Sequence, residues 1–285
     1  MPKLTEHKRG KRILIVGDPG SGKSSAVGSL AEYGQELFIC DFDDNLDPLP
    51  EFLSPEAIER IHYETLLDKV KMDSVSGKPI VEGIPAAWPK YVELSKSWTD
   101  STTGKSFGAP ESWPDNFWFV EDSLTTKGNA SMNYTMFKRK RMGKRRGYAE
   151  WGEAIERVEG SIDAFRYAGV NYICTAHLAR LNMEDVTESA DDDGSPIDRP
   201  KAAKRLPPNA MMRYPVTLGQ KLPPRIGGYF NLVLQAVRIG SGAGARRVLR
   251  TVPEEDVDIK VPLPRKKLPV DVPIEKFWEI LKHFT

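Results

Sequence analysis

Two cysteines are too few for a disulfide framework, and neither Cys40 nor Cys174 stands in a CxxC or Cys/His spacing that would hold zinc. Each lies inside a short apolar run, where a thiol packs as a small buried hydrophobe in a reducing compartment. Long apolar runs are missing as well, and none approaches the ~20 residues needed to cross a bilayer. The basic start MPKLTEHKRGKR leads into only a short apolar stretch, which does not make a signal peptide. The expectation is a soluble, intracellular (cytoplasmic) protein with no membrane partner. Net charge is nearly absent at +1, so any nucleic-acid site has to come from local clustering and not from bulk attraction. Internal repeats and long low-complexity tracts are also absent. With 40% apolar and 28% charged residues over 285 positions, the composition is that of a globular chain able to bury a sizeable core.

What is present is a series of short apolar runs, at 13–16 (ILIV), 37–40 (LFIC), 117–120 (FWFV) and 170–175 (VNYICT). None alternates with period two, as expected for strands covered on both faces of a parallel sheet. Helical segments fall between them at 23–33, near 86–98 and at 148–168. In the last, Trp151, Ile155, Val158, Ile162 and Phe165 recur every three or four residues, and Gly169 closes the pattern. This alternation predicts a doubly wound, mostly parallel α/β sheet flanked by helices, as a single domain over 1–285. Segments 73–85 and 100–115 read as loops, and 187–200 as a mobile stretch. Further apolar runs at 229–237 and 247–252 precede a proline-rich connector and a short final helix over 274–284. Trp88, Trp98, Trp113, Trp118 and Trp151 read as packing.

Gly17, Asp18, Pro19, Gly20, Ser21, Gly22, Lys23, Ser24 and Ser25 satisfy the P-loop pattern GxxxxGK[ST], between a strand and a helix. Glycines let backbone N–H groups turn inward around a phosphate, and the helix start adds its positive dipole end. Lys23 would bridge β- and γ-phosphates, and the Ser24 hydroxyl would ligate Mg²⁺. The cofactors implied are ATP or GTP with magnesium. At the end of the third run, Asp122 is placed to hold the metal, and Glu121 is a candidate general base. The second run ends DFDD. Strand alternation puts Asp41 and Asp43 on one face and Asp44 on the other, where one of the pair orients a water; an Asp-rich turn is the alternative. The fourth run ends TAH, which sets His177 at a strand tip where it can contact the γ-phosphate.

These four segments together, 17–25, 37–44, 120–125 (VEDSLT) and 172–178 (YICTAHL), resemble RecA-like P-loop ATPases. The nearest likeness is to phage-encoded single-strand annealing or recombination ATPases. The resemblance covers a nucleotide core over 11–178 and, more loosely, the strands to 252, with 253–285 as an extension. It implies a catalytic base at Asp43 and a γ-phosphate sensor at His177. It also implies a homo-oligomer, ring or filament, with nucleotide between subunits and a basic residue reaching across, for which Arg225, Arg247 and Arg250 are candidates. Finally, it implies that the segments after the third and fourth strands line a DNA path. The first holds Lys138, Arg139, Lys140, Arg141, Lys144, Arg145 and Arg146, which could neutralise several phosphates, with Tyr134, Phe137 and Tyr148 available to stack on bases. A solvated charge run is the alternative. The second, 179–228, has an acidic half at 184–193 and a basic half around Lys201, Lys204, Arg205, Arg213 and Lys221.

The function expected is a Mg-dependent ATPase that binds single-stranded DNA and promotes recombination or annealing, with a single-strand-binding protein as a further candidate partner. A small-molecule kinase and a nucleotide-gated scaffold are the alternatives.

Overall fold

Runs that are apolar at every position need cover on both sides, and they fold as the inner strands of one sheet. The computed structural model describes residues 10–74, 77–182, 211–219, 222–254, 256–262 and 268–284. Its main sheet has nine strands: β1 (Arg12–Gly17), β2 (Glu36–Asp41), β3 (Ile61–Thr65), β4 (Phe117–Asp122), β5 (Asn171–Asn182), β6 (Met211–Pro215), β7 (Leu232–Ile239), β8 (Arg246–Arg250) and β9 (Asp271–Pro273). The order is β9–β8–β7–β1–β5–β4–β2–β3, and β6 pairs with β5 off this path. From β7 to β3 all pairs are parallel, whereas β8, β9 and β6 join antiparallel. The P-loop strand β1 therefore sits mid-sheet, between β5 and β7.

Alternation along each strand sorts side chains onto two faces. One carries Ile13, Ile15, Leu37, Ile39, Val120 and Ile173, covered by α1 (Lys23–Gly28) and the C-terminal helix α5 (Phe277–Leu281). The other carries Leu14, Val16, Phe38, Phe119 and Tyr172, covered by α2 (Ala87–Lys96), α3 (Leu124–Lys138) and α4 (Tyr148–Ala168). On that second face Phe38 packs against Trp98, Phe107, Trp113 and Phe117. Burial of such rings contributes about 2–3 kcal/mol each.

Several expectations change. The helix expected over 23–33 is α-helical only to Gly28 and continues as a 3₁₀ turn, Ser29–Tyr33. Segments 73–85 and 100–115 carry strand: Val70–Met72 pairs with Pro79–Val81, and Trp98–Thr99 with Ser106–Gly108. The expected final helix is α-helical only at α5, with 3₁₀ turns on either side. The largest revision concerns 179–228, read as a loop. There β5 continues past His177 to Asn182 and pairs with β6, because alternating residues such as Met212 and Tyr214 have a buried face to fill. The acidic half of that segment, the mobile reading of 187–200, and Lys201, Lys204, Arg205 and Lys221 lie outside the described residues.

α4 has the bounds expected. Gly169 at its end takes φ 70°, a left-handed conformation that glycine adopts without the penalty of a Cβ. Since α4 ends just before β5 starts, its 21 residues run ~30 Å back toward the edge where the strands finish. The α3–α4 connection therefore lies toward the edge that carries the P-loop.

Candidate active site

At the end of β1 the backbone turns through Gly20 (φ 75°) and Gly22 (φ 95°) before α1 begins at Lys23. A Cβ at Gly22 would be strained by that φ and would also lie 2.8 Å from Arg247 Cδ. The Lys23 ammonium is buried and donates to the carbonyls of Gly17 (3.0 Å) and Asp18 (3.1 Å), with His177 Nδ1 at 3.2 Å. Burial pulls its pKa below the ordinary lysine value, against the opposing pull of Asp122, Asp43 and Asp18. The Ser21 hydroxyl is buried with no hydrogen-bond partner among the described residues. An open turn, a concentrated positive charge and an orphaned hydroxyl together form a cradle that fits a phosphate.

Beside it, Asp122 accepts hydrogen bonds from the Thr175 and Ser24 hydroxyls. Burial raises the Asp122 pKa, the two hydroxyls and Lys23 pull it back, and the Asp43 charge adds to the rise. Among the described residues, no group of three or more His, Cys, Asp or Glu is arranged to hold a metal ion. Ser24 and Asp122 fit magnesium as partial ligands, with phosphate oxygens and water completing the shell.

Strand parity decides which acids reach this cleft. Asp41, Asp122, Thr175 and His177 share the face of Ile39, Val120 and Ile173 that packs on α1. Glu121 points the other way. Its carboxylate is fully buried, paired with Lys127 at 2.7 Å and bonded by the Tyr91 and Tyr172 hydroxyls, each at 2.6 Å. The expectation that Glu121 is the general base is therefore corrected: it has neither solvent nor access to the P-loop.

The DFDD segment is also revised. β2 ends at Asp41, whose Oδ1 accepts the N–H groups of Asp43 (3.0 Å) and Asp44 (2.9 Å). Asp41 and Asp43 thus do not share a strand face. Asp41 holds an Asp turn, and the turn aims Asp43 back into the cleft. There Asp43 accepts from Thr126, and its Oδ2 lies 3.6 Å from His177 Nε2. Burial pushes the Asp43 pKa up, but His177 beside it and the hydrogen bond from Thr126 outweigh it and the net direction is down. His177 consequently stands between Lys23 and Asp43, one ring nitrogen toward each.

Asp41 itself is pushed up to about 6 by burial, with a contribution from the Asp122 charge, against the N–H groups of the turn. A folded-state pKa above the unfolded value means that stability falls as pH rises from about 4 through about 6. Asp41→Asn keeps an acceptor for the turn and removes the buried charge. It should stabilise the fold by about 2 kcal/mol at pH 8, with the gain vanishing near pH 4. Urea unfolding at the two pH values checks this; an equal effect at both contradicts it.

The remaining wall of the cleft, about 310 Å³ in volume, includes Asn45, Pro48, Phe52 and Arg247. The arginines expected to reach a neighbouring subunit are engaged within the chain. Arg225 pairs with Glu159, Arg250 with Glu254 and Asp271, and Arg247 Nε donates to Gly20 O of its own P-loop at 3.2 Å.

Residues 9–263 match a family described as an AAA domain (AAA_24). The chain belongs to that family. No protein of curated function matches it. Among solved structures it is similar to the RadB recombinase, at 14% identity and TM-score 0.39 over 85% of this chain and 80% of that one. A KaiC-like protein of the hyperthermophilic archaeon Pyrococcus horikoshii OT3 gives 14% and 0.39 over 90% and 82%. The flagellar accessory protein FlaH of Methanocaldococcus jannaschii gives 9% and 0.33 over 89% and 90%. At these identities none of the three transfers an activity to this chain. The fold of this AAA-domain chain is a mostly parallel sheet flanked by helices, with the P-loop at the end of a central strand.

In this AAA-domain chain the basic segment is less open than its composition suggests. Arg139 pairs with Glu153 at 2.7 Å, Arg141 with Glu150 at 3.3 Å, and Arg146 stacks 5.8 Å from the Trp151 ring centroid. The reading of seven flexible cations is corrected to four: Lys138, Lys140, Lys144 and Arg145 are exposed with no acidic partner among the described residues. Of the stacking candidates, Tyr148 is 98% exposed, whereas Tyr134 is half-buried under Arg157.

Sequence reasoning missed Thr125, Thr126 and Thr175, which bond His177, Asp43 and Asp122. Threonines carry no spacing signal of their own. The two in α3 could have been found only by recognising that helix.

Proposed function

We propose that the chain is a magnesium-dependent ATPase that binds single-stranded DNA and promotes recombination or annealing as a homo-oligomer. The observation that carries the hydrolytic part is the Lys23–His177–Asp43 chain beside Ser24 and Asp122: a cation, a metal-holding pair and a base converge on one cleft.

Bound at Ser24 and Asp122, magnesium would supply Lewis-acid charge to the phosphate oxygens. Lys23 neutralises charge at the β- and γ-positions from a site where burial strengthens its field. Asp43, ionised and held by Thr126, orients water for in-line attack and takes its proton. His177 fixes the Asp43 carboxylate with one nitrogen and reports on Lys23 with the other. Asp43 is thus the base in this reading.

DNA binding is supported by the four unpaired cations and Tyr148 on the connection that faces the P-loop edge. Oligomerisation is supported by Arg238 and Arg246, which are exposed on β7 and β8, have no acidic partner among the described residues, and share a cleft with Arg247. A neighbour's phosphate would satisfy both. Replacing Lys138, Lys140, Lys144 and Arg145 together by Gln should weaken single-strand affinity at least about tenfold and lower the salt slope of binding by about 3. Fluorescence anisotropy across a salt series checks this. Unchanged affinity and slope would remove the DNA reading while leaving the nucleotide site intact.

A further inference from the structure

A buried ion pair lies directly behind the site, on the opposite face of β4. Glu121 and Lys127 are both fully buried and 2.7 Å apart, and Lys127 Nζ also donates to the Tyr91 hydroxyl at 3.0 Å. With Tyr172 on β5 and Tyr91 on α2, the pair ties two strands to two helices. Such a pair is a weak source of stability, because desolvation opposes the attraction, so its geometry calls for another role.

Each partner is a chain neighbour of the site. Glu121 precedes Asp122, and strand alternation means that anchoring one carboxylate inward aims the other outward. Lys127 follows Thr125 and Thr126 in the first turns of α3. Successive helix residues differ by about 100° in direction, so fixing Lys127 against the sheet fixes the rotation of the helix about its axis. In that rotation Thr126 donates to Asp43, while Thr125 accepts from the His177 N–H at 3.1 Å and donates to Val216 O at 3.1 Å.

Resting on the hydrolase reading above, we infer that the Glu121–Lys127 pair is a positioning device, which sets the register of α3 so that Thr125 and Thr126 hold His177 and Asp43 in reacting geometry. Neither partner touches nucleotide; both act through the threonines.

The test uses the full chain in two variants, Thr126→Val and the paired Lys127→Met with Glu121→Gln, which removes both charges together. The paired variant should fold, lose about tenfold or more in kcat for phosphate release, and change KM for ATP by less than about threefold. Adding Thr126→Val to it should cost nothing further, because the paired variant has already released the Thr126 contact to Asp43. The His177 amide should exchange with solvent at least about tenfold faster in the paired variant, while the mid-strand Ile173 amide stays protected. A folded paired variant with kcat within about twofold of wild type and unchanged His177 exchange would overturn the inference, as would full additivity with Thr126→Val. If the paired variant does not fold, Tyr91→Phe replaces it, which removes the hydroxyl that bonds both partners and leaves the charges paired, with the same expected directions and the same overturning result. Should the wild type bind ATP yet release no phosphate, the hydrolase reading fails by itself, and His177 exchange then decides the positioning claim.

Discussion

Lys23→Ala should lower kcat/KM for ATP hydrolysis by about 10³-fold, the loss expected when a buried transition-state cation is removed. Its ammonium is the positive charge set among Asp18, Asp43 and Asp122, and both P-loop carbonyls and His177 are organised around it. Without it the cleft keeps Arg247 at its wall, but Asp43 and Asp122 face a polyphosphate with no ammonium among them, which weakens binding as well as failing to stabilise the reaction. Nucleotide affinity should therefore fall together with turnover. Phosphate release and nucleotide binding, measured on the same preparation, check the expectation. A variant that retains a tenth of wild-type turnover would contradict the role given to Lys23.

Asp43→Asn is the second large effect. Asparagine still accepts from Thr126 but takes no proton from water, so kcat should fall about 10²–10⁴-fold while nucleotide affinity stays within about threefold. The sign of the Asp43 shift adds a pH signature. His177 beside it and the hydrogen bond from Thr126 hold its pKa below the ordinary carboxylate value. Asp43 therefore stays ionised through the weakly acidic range, and its own protonation should not limit turnover there. Single-turnover kinetics with the variant give the split directly. Equal losses in binding and turnover would make Asp43 a structural residue of the cleft instead.

Much of this site was legible in the sequence, for identifiable reasons. The P-loop carries its own spacing, and uninterrupted apolar runs marked β1, β2, β4 and β5, whose ends present Asp41, Asp122 and His177. What was illegible has equally physical causes. β3, reading IHYET, is an edge strand with one wet face, so it shows no apolar run. α3 went unseen because its buried side includes Lys127, Ser131 and Thr135, polar groups satisfied by partners that no periodicity records. Missing α3 had two consequences. Its threonines were lost to the site, and Glu121 was left without its partner, so an acid next to Asp122 was read as facing the same cleft. The basic segment shows a related limit: composition counts charges, but only packing against α4 shows which of them are already paired.

The central claim is that this cleft hydrolyses ATP in response to single-stranded DNA. The measurement that tests it most directly is phosphate release from labelled ATP by the purified chain with magnesium, with and without single-stranded DNA. The account predicts release to water, dependence on Lys23 and Asp43, and a rise in rate on adding DNA that fades with salt. Phosphate transferred to an acceptor, or a rate indifferent to DNA at every salt concentration, would contradict it.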